Sequence, residues 1–149
     1  MKKISYIFCL IGLLLSCNNE NIGNCWQAAG DIITKEVNVP LFDKIVVHEK
    51  IELIITEGQE QQVTIETGKN LFPDIEINVI DKELILVNNN TCNFFRDYGL
   101  TKVYVTSPNI NTIRNASEFN VTSNGVLTYP SLYLMSVGNK KLFLALGDF

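Results

Sequence analysis

The sequence predicts an all-β protein in which short strands, paired as hairpins at first, lead into a β-solenoid. Apolar residues alternate with polar ones, as at Ile51, Leu53 and Ile55, and this spacing of two is typical of strands with one buried face. Pairs with Gly, Asn or Asp, among them Asp81-Lys82 and Asn124-Gly125, follow the short runs and are predicted to reverse the chain. In the second half, inward apolar positions recur at about 21 to 22 residues, as from Ile113 to Leu134, which is a period typical of a solenoid.

The candidate strands follow one another along the chain, each with two or three apolar residues on one face. Tight turns are expected to join those between about Ile32 and Val87, and the pair Ile51–Thr56 with Val63–Thr67 is the clearest predicted hairpin. Only Lys69–Asp74 suits a helical turn, which Pro73 keeps short. An ordinary antiparallel sandwich is the alternative. The apolar strand positions are Val37/Val39/Leu41, Ile51/Leu53/Ile55, Val63/Ile65, Ile75/Ile77/Val79, Leu84/Leu86, Val103/Val105, Phe119/Val121, Leu132/Leu134 and Leu142/Leu144.

The first sixteen residues have the pattern of a secretion signal. Lys2 and Lys3 precede the apolar stretch Ile4–Leu15, which as a helix would cover roughly 18 Å and is too short to span a bilayer. The following Ser16-Cys17 resembles the lipobox of bacterial lipoproteins. This resemblance implies cleavage before Cys17 and a membrane anchor of lipid on that residue.

Three segments follow from this pattern: a signal peptide at 1–16, a tether at 17–24 and a β domain at 25–149. Asn18 in place of Asp favours the outer membrane, and the sequence leaves open whether the domain faces the periplasm or the cell surface. Without Lys2 and Lys3, ten basic and sixteen acidic residues give a net charge of −6. No basic cluster remains, so a nucleic-acid partner is not expected.

The cysteines suit an oxidising compartment. Cys9 leaves with the signal and Cys17 carries the lipid, so Cys25 and Cys92 remain, either as one disulfide or as two buried thiols. Together with the one distant histidine they provide no tetrahedral metal set, and neither a metal nor another cofactor is expected.

Four segments together resemble the head-GIN family of auto-transporter adhesins: Gly30–Val37, Phe42–Val47, Asn70–Pro73 and Val103–Ile110. The resemblance runs from about Cys25 to the C-terminus. It implies a fold that ends in a right-handed, single-stranded β-helix, and it supports a disulfide between Cys25 and Cys92.

The family's repeated Ser-Gly-Ser-Gly-Asp turns are degenerate here, at Asn115–Phe119 and Ala145–Phe149, and the sequence stops after the second. We therefore expect a member truncated at its C-terminus, whose open β-helix end either is covered by homo-oligomerisation or makes the chain unstable.

No catalytic constellation is predicted, so an enzyme is not expected. His48 is the only histidine, lies at a predicted strand end and suits a surface position, and no Gly-x-Ser-x-Gly motif surrounds a serine. The glutamates mostly alternate with apolar residues and belong to the solvent face.

Aromatic residues give the better functional candidates. Phe94, Phe95 and Tyr98, beside Arg96, form a candidate ligand-binding cluster, although the two phenylalanines could instead close the core. The sequence thus predicts an adhesin-like binding module of the cell envelope for glycan or protein partners. The alternative is a structural envelope lipoprotein without a dedicated ligand.

Overall fold

The computed structural model describes residues 28–90, 101–137 and 141–147. This part of the chain is all-β, as predicted, apart from one 3-10 turn. The strands are β1 Ile32–Val37, β2 Lys44–Val47, β3 Glu52–Glu57, β4 Gln62–Gly68, β5 Ile75–Ile80, β6 Glu83–Asn88, β7 Lys102–Ser107, β8 Thr112–Asn115, β9 Val121–Leu127, β10 Tyr133–Ser136 and β11 Leu142–Leu146, and the 3-10 turn is Phe72–Asp74. That turn confirms the helical segment predicted over Lys69–Asp74.

The strands form two mixed sheets. Sheet A has the order β1-β4-β7-β3-β9-β11, and sheet B has the order β10-β8-β2-β6-β5. The inner strands pair in parallel, whereas β1, β4 and β5 join by antiparallel pairing at one end of the molecule. We call the end formed by β1 and β5 the closed end, and the end formed by β10 and β11 the open end.

The parallel strands stack in four layers, each with one strand in each sheet. In spatial order the layers are β6–β7, β2–β3, β8–β9 and β10–β11. Leu134 lies opposite Ile113, and Leu142 opposite Val121, so the spacing of 21 residues predicted for the last two layers is confirmed in their strand register.

The core consists of inward columns that run across the layers. In sheet B the column is Leu84, Ile45, Ile113 and Leu134, and in sheet A it is Val103, Leu53, Val121 and Leu142. The first three members of each column are buried, and the last is only partly buried. Each layer therefore buries the side chains of its neighbour.

The predicted hairpin between Ile51–Thr56 and Val63–Thr67 is wrong. β7 lies between β3 and β4, and β3 pairs in parallel with β7 and β9. The short connection crosses β7, because the Gly58 N–H donates to the Ser107 carbonyl at 3.2 Å. Alternation of apolar residues fixes which face of a strand is buried but not which strand is its partner, so the pattern could not reveal the insertion.

A true hairpin joins β5 and β6. Its two-residue turn, Asp81-Lys82, has φ values of +49° and +61°, as in a type I′ turn. This confirms the turn expected at that pair.

The predicted turn at Asn124-Gly125 is wrong, because both residues lie inside β9. The register between β9 and β11 shifts there, between Phe143 and Ala145. Gly125 has a φ of +98°, which a glycine adopts without strain, so a positive-φ signal here marks a bulge instead of a reversal.

The β5–β6 turn supplies a test of the fold. Asp81→Asn with Lys82→Gly should raise the free energy of unfolding by up to about 1 kcal/mol, because Asn-Gly suits two positive φ values. Asn78→Gly, on the exposed face of β5, should instead lower it by about 0.5–1 kcal/mol. Urea unfolding measures both, and equal destabilisation by the two glycines would contradict the turn geometry.

Candidate functional site

The site residues predicted from the sequence lie outside the described residues. These are the lipidation site, the predicted disulfide and the candidate ligand cluster: Cys17, Cys25, Cys92, Phe94, Phe95, Arg96 and Tyr98. The cluster lies in the connection between β6 and β7, so it leads directly into a central strand of sheet A.

The candidate functional site among the described residues is the outer face of sheet A. One row of outward side chains crosses all six strands in register, and we call it the Tyr104 row. With strands about 4.8 Å apart, the row is roughly 24 Å long. It consists of Glu36, Thr64, Tyr104, Ile54, Thr122 and Phe143.

Hydroxyl groups surround Tyr104 on this face. Thr64 is its neighbour in the row, and Thr56 and Thr106 stand opposite each other one step further along β3 and β7. Val103 and Val105 face the core, so the alternation along β7 turns Tyr104 outward.

The ring of Tyr104 is oriented by Glu66. The phenol O–H donates to Glu66 Oε2 at 3.4 Å, and Lys102 Nζ lies 4.0 Å from Glu66 Oε1. Partial burial and the Glu66 carboxylate raise the pKa of Tyr104. At neutral pH the group is therefore an uncharged hydroxyl that can donate or accept.

The charges on this face are mainly acidic. Glu36, Glu52 and Glu66 point outward from three strands, and Lys102 is the basic residue among them. An aromatic ring among hydroxyls and carboxylates can stack on a ligand and accept hydrogen bonds from it. The acidic excess disfavours an anionic ligand.

The connections between strands are fixed by buried polar side chains. In the connection between β8 and β9, Ser117 Oγ donates to the Ile51 carbonyl at 2.6 Å, and Asn115 Nδ2 donates to the Phe119 carbonyl at 2.9 Å. Asn115 thus bonds within its own turn, whereas Asn120 reaches the next layer by accepting from the Lys141 N–H at 3.4 Å.

At the opposite edge, the hydroxyl of the buried Tyr129 donates to the Ser107 carbonyl at 3.0 Å. Glu57 accepts hydrogen bonds from the Thr128 backbone N–H and, at 2.7 Å, from Thr128 Oγ1. These bonds lower the pKa of Glu57. Desolvation, with the Glu57 carboxylate as the lesser cause, raises the pKa of Tyr129 to about 12.

Sequence reasoning did not identify Ser107, Asn115 and Ser117 as buried anchors. Their positions carry a usable signal, because each ends or follows a strand whose alternation points that residue inward. His48 lies directly after β2, as expected, and is half-buried.

Among the described residues, no three His, Cys, Asp or Glu side chains are grouped so that they could hold a metal ion. In the same part of the chain, no helix has the length and apolar character needed to cross a membrane.

These features define an all-β protein of two mixed sheets, with a hydroxyl-rich outer face on sheet A. Residues 41–147 match the family described as "putative auto-transporter adhesin, head GIN domain". The chain belongs to this family, as its sequence resemblance predicted. No protein among the curated ones matches it significantly.

Solved structures share the fold. A putative adhesin from Bacteroides fragilis aligns with a TM-score of 0.68 at 23% identity, covering 80% of this chain and 57% of its own. A putative adhesin from Parabacteroides merdae aligns with a TM-score of 0.64 at 18% identity, and the alignment covers 74% of this chain and 46% of that protein. A putative lipid binding protein from Parabacteroides distasonis aligns with a TM-score of 0.55 at 13% identity, and the alignment covers 72% of this chain and 46% of that protein. The chain thus spans about half the length of these structures.

The raised pKa of Tyr129 gives a test by pH. An unfolded tyrosine ionises near pH 10, so between about pH 10 and 12 the unfolded chain binds fewer protons than the folded one, and the free energy of unfolding falls as pH rises. Tyr129→Phe removes this contribution and should flatten the fall by up to about 1.4 kcal/mol per pH unit.

At neutral pH the free energy of unfolding of the same variant should be about 1 kcal/mol lower than that of the wild type, because the hydrogen bond to the Ser107 carbonyl is missing. Urea unfolding from about pH 8 to pH 11 measures both effects. Curves of wild type and variant that stay parallel above about pH 10 would contradict the burial of the phenol.

Proposed function

We propose that this protein is a cell-envelope lipoprotein that acts as an adhesin-like binding module for a glycan or protein partner and carries out no catalysis. Membership of the head-GIN family supports the adhesin-like role and an envelope location. The Tyr104 row is the observation that carries the proposal, because it places outward side chains in register across all six strands of sheet A.

The chemistry of this face favours a neutral, hydroxyl-rich ligand such as a glycan. Tyr104 supplies a ring for stacking, Thr64 and Thr106 supply hydroxyls, and Glu36 and Glu52 supply acceptors for ligand hydroxyl groups. Phe94, Phe95 and Tyr98, beside Arg96, are further candidates for ligand contact on the basis of the sequence.

We also propose that the layers wind as a right-handed, single-stranded β-helix, as the family resemblance implies. Support comes from the parallel register of successive layers. Hydrogen bonds also continue the stacking past the strand ends, since the Asn111 N–H donates to the Asp43 carbonyl and the Tyr133 N–H to the Asn111 carbonyl, both at 2.8 Å.

A lipid anchor at Cys17 would hold the domain on the outer membrane, with residues 18–24 as the tether. The pattern before Cys17 supports this proposal.

A disulfide between Cys25 and Cys92 is part of the proposal, and contacts of the described flanking residues support it. Asn70 Nδ2 donates to the Ala28 carbonyl at 2.9 Å, and Asn88 Nδ2 lies 3.4 Å from Thr101 Oγ1. A third contact links these two pairs of residues. Thr101 Oγ1 also lies 2.9 Å from Oγ1 of Thr67, which is three residues before Asn70 in the chain. In the sequence Cys25 is three residues from Ala28 and Cys92 is four residues from Asn88, which correspond to about 10 Å and about 14 Å of fully extended chain.

Binding to immobilised glycans and peptides tests the proposed role of Tyr104. We expect the mature chain to bind neutral glycans, and Tyr104→Ala to weaken this binding at least about tenfold, or about 1.4 kcal/mol. Tyr104→Phe keeps the ring and should lose less. Arg114→Ala, on the outer face of sheet B, is the matched control and should bind as wild type.

Two outcomes would contradict the proposal. If Tyr104→Ala and Arg114→Ala weakened binding equally, the outer face of sheet A would not be the binding surface. Failure of the wild type to bind any glycan or peptide would favour the structural lipoprotein without a dedicated ligand.

A further inference from the structure

A second aromatic side chain, Phe143 on β11, lies in the Tyr104 row. Its register partner on β9 is Thr122, which in turn lies opposite Ile54 on β3, the partner of Tyr104. Ile54 and Thr122 therefore separate the two aromatic residues, which stand three strand spacings, or about 14 Å, apart. One sugar ring is too small to contact both aromatic side chains across this distance.

The ring of Phe143 points outward because of the alternation along β11. Leu142 and Leu144, the residues on either side of it, pack against the core, so the side chain between them points away from the core. The register with β9 places Phe143 on the outer face of sheet A, and this orientation is independent of what lies beside β11. The ring is not part of the core and is available for stacking on a ligand.

Polar side chains border the Tyr104 row on both sides. Lys102 and Glu52 lie two residues along β7 and β3, roughly 7 Å to one side of the row. Thr106 and Thr56 lie at the same distance on the other side. The row thus runs between a charged border and a hydroxyl border. Because Glu66 also lies beside Lys102, carboxylates outnumber cations there and disfavour a ligand with acidic groups.

The backbone of sheet A restricts the kind of ligand further. β4, β7, β3 and β9 each pair with a strand on both sides, so their N–H and C=O groups are engaged within the sheet and cannot bind an added peptide strand. A peptide that lay across these strands would leave most of its own backbone groups without partners. A glycan instead carries hydroxyl groups at the edges of its rings, where the two polar borders lie.

We propose that the outer face of sheet A binds a linear, uncharged glycan of β-linked pyranose rings with equatorial hydroxyl groups, which lies along the Tyr104 row and stacks on both Tyr104 and Phe143. This inference rests on the proposed function and specifies its ligand. In such a sugar ring the axial C–H bonds point to the two faces and the hydroxyl groups point to the edge. One ring can therefore stack on an aromatic side chain and hydrogen-bond to both borders.

The distance between the two aromatic residues sets the length of the glycan. The repeat of an extended chain of β-linked pyranoses is about equal to one strand spacing, roughly 4.8 Å. About four sugar rings therefore reach from Tyr104 to Phe143. Shorter chains contact one aromatic side chain at a time, so the affinity should rise between the trisaccharide and the tetrasaccharide.

Isothermal titration calorimetry of the mature chain tests both the ligand class and its length. The protein carries Cys17→Ser, which removes the lipid anchor proposed at that residue. The probes are the cello-oligosaccharides from cellobiose to cellohexaose, with the α-linked malto-oligosaccharides as the comparison. We expect the affinity to rise at least about fivefold from cellotriose to cellotetraose, because the second aromatic side chain is then engaged. The malto series should bind more weakly and without this rise.

Variants of Phe143 test the second stacking position. Phe143→Leu keeps an apolar side chain but removes the ring, so it should abolish the rise in affinity with length. Phe143→Tyr keeps the ring and should retain the rise. Ile32→Ala is the matched control, because Ile32 is an exposed apolar residue on the same face, opposite Gly68 and outside the Tyr104 row. It should bind as wild type, and urea unfolding of each variant identifies any loss of folded protein.

The outcomes distinguish this ligand from the proposed function as a whole. A wild type that binds other immobilised glycans through Tyr104, but not the cello series, would overturn the inference and leave the adhesin-like role in place. The same follows if affinity does not rise with length or if Phe143→Leu preserves the rise. Binding of peptides alone would overturn the glycan as ligand. Absence of binding to any glycan or peptide would overturn both.

Discussion

Burial in this protein depends on stacking, since the inward side chains of one layer are covered by the layers beside it. Ile45 and Leu53 are fully buried because each has a parallel neighbour on both sides. No single layer could bury its own apolar residues, so the layers stabilise one another cooperatively. The strand register follows from this constraint, because a slip by one residue would turn each apolar column toward solvent.

The connections are adapted to the same stacking. A parallel layer exposes backbone groups at its corners, and buried side chains of other layers satisfy them. The Ser117 hydroxyl donates a hydrogen bond to the carbonyl of Ile51, one layer away, and the Tyr129 hydroxyl donates one to the carbonyl of Ser107. Antiparallel strands close one end of the stack, where the ammonium group of Lys35 lies over the Phe72 ring. On the outer face of sheet A, the described contacts are the ion pair of Lys102 with Glu66 and the hydrogen bond from Tyr104 to Glu66.

Much of this arrangement could be predicted from local pattern. The period of two at Leu53 and Ile55 identifies a strand and its buried face, and the interval from Ile113 to Leu134 identifies strands that stack in parallel. The outward position of Tyr104 follows from Val103 and Val105 on either side of it.

Long-range pairing could not be predicted in this way. β3 and β4 are adjacent in sequence and both amphipathic, but their separation by β7 depends on residues about fifty positions away. Gly125 carries the signal of a turn and lies in a bulge, since positive φ serves both structures. Lys35 is exposed, as its charge suggests, and only the structure shows that its ammonium group lies over the Phe72 ring.

Native-state hydrogen exchange of this chain tests most directly whether each layer depends on its neighbours. The account predicts that amides of β2, β3, β8 and β9 exchange only when the whole domain unfolds, whereas those of β10 and β11, which pair on one side only among the described strands, exchange through local opening at lower free energy. Protection of β10 and β11 equal to that of β2 and β3 would contradict it, because a layer paired on one side would then be as stable as a layer paired on both.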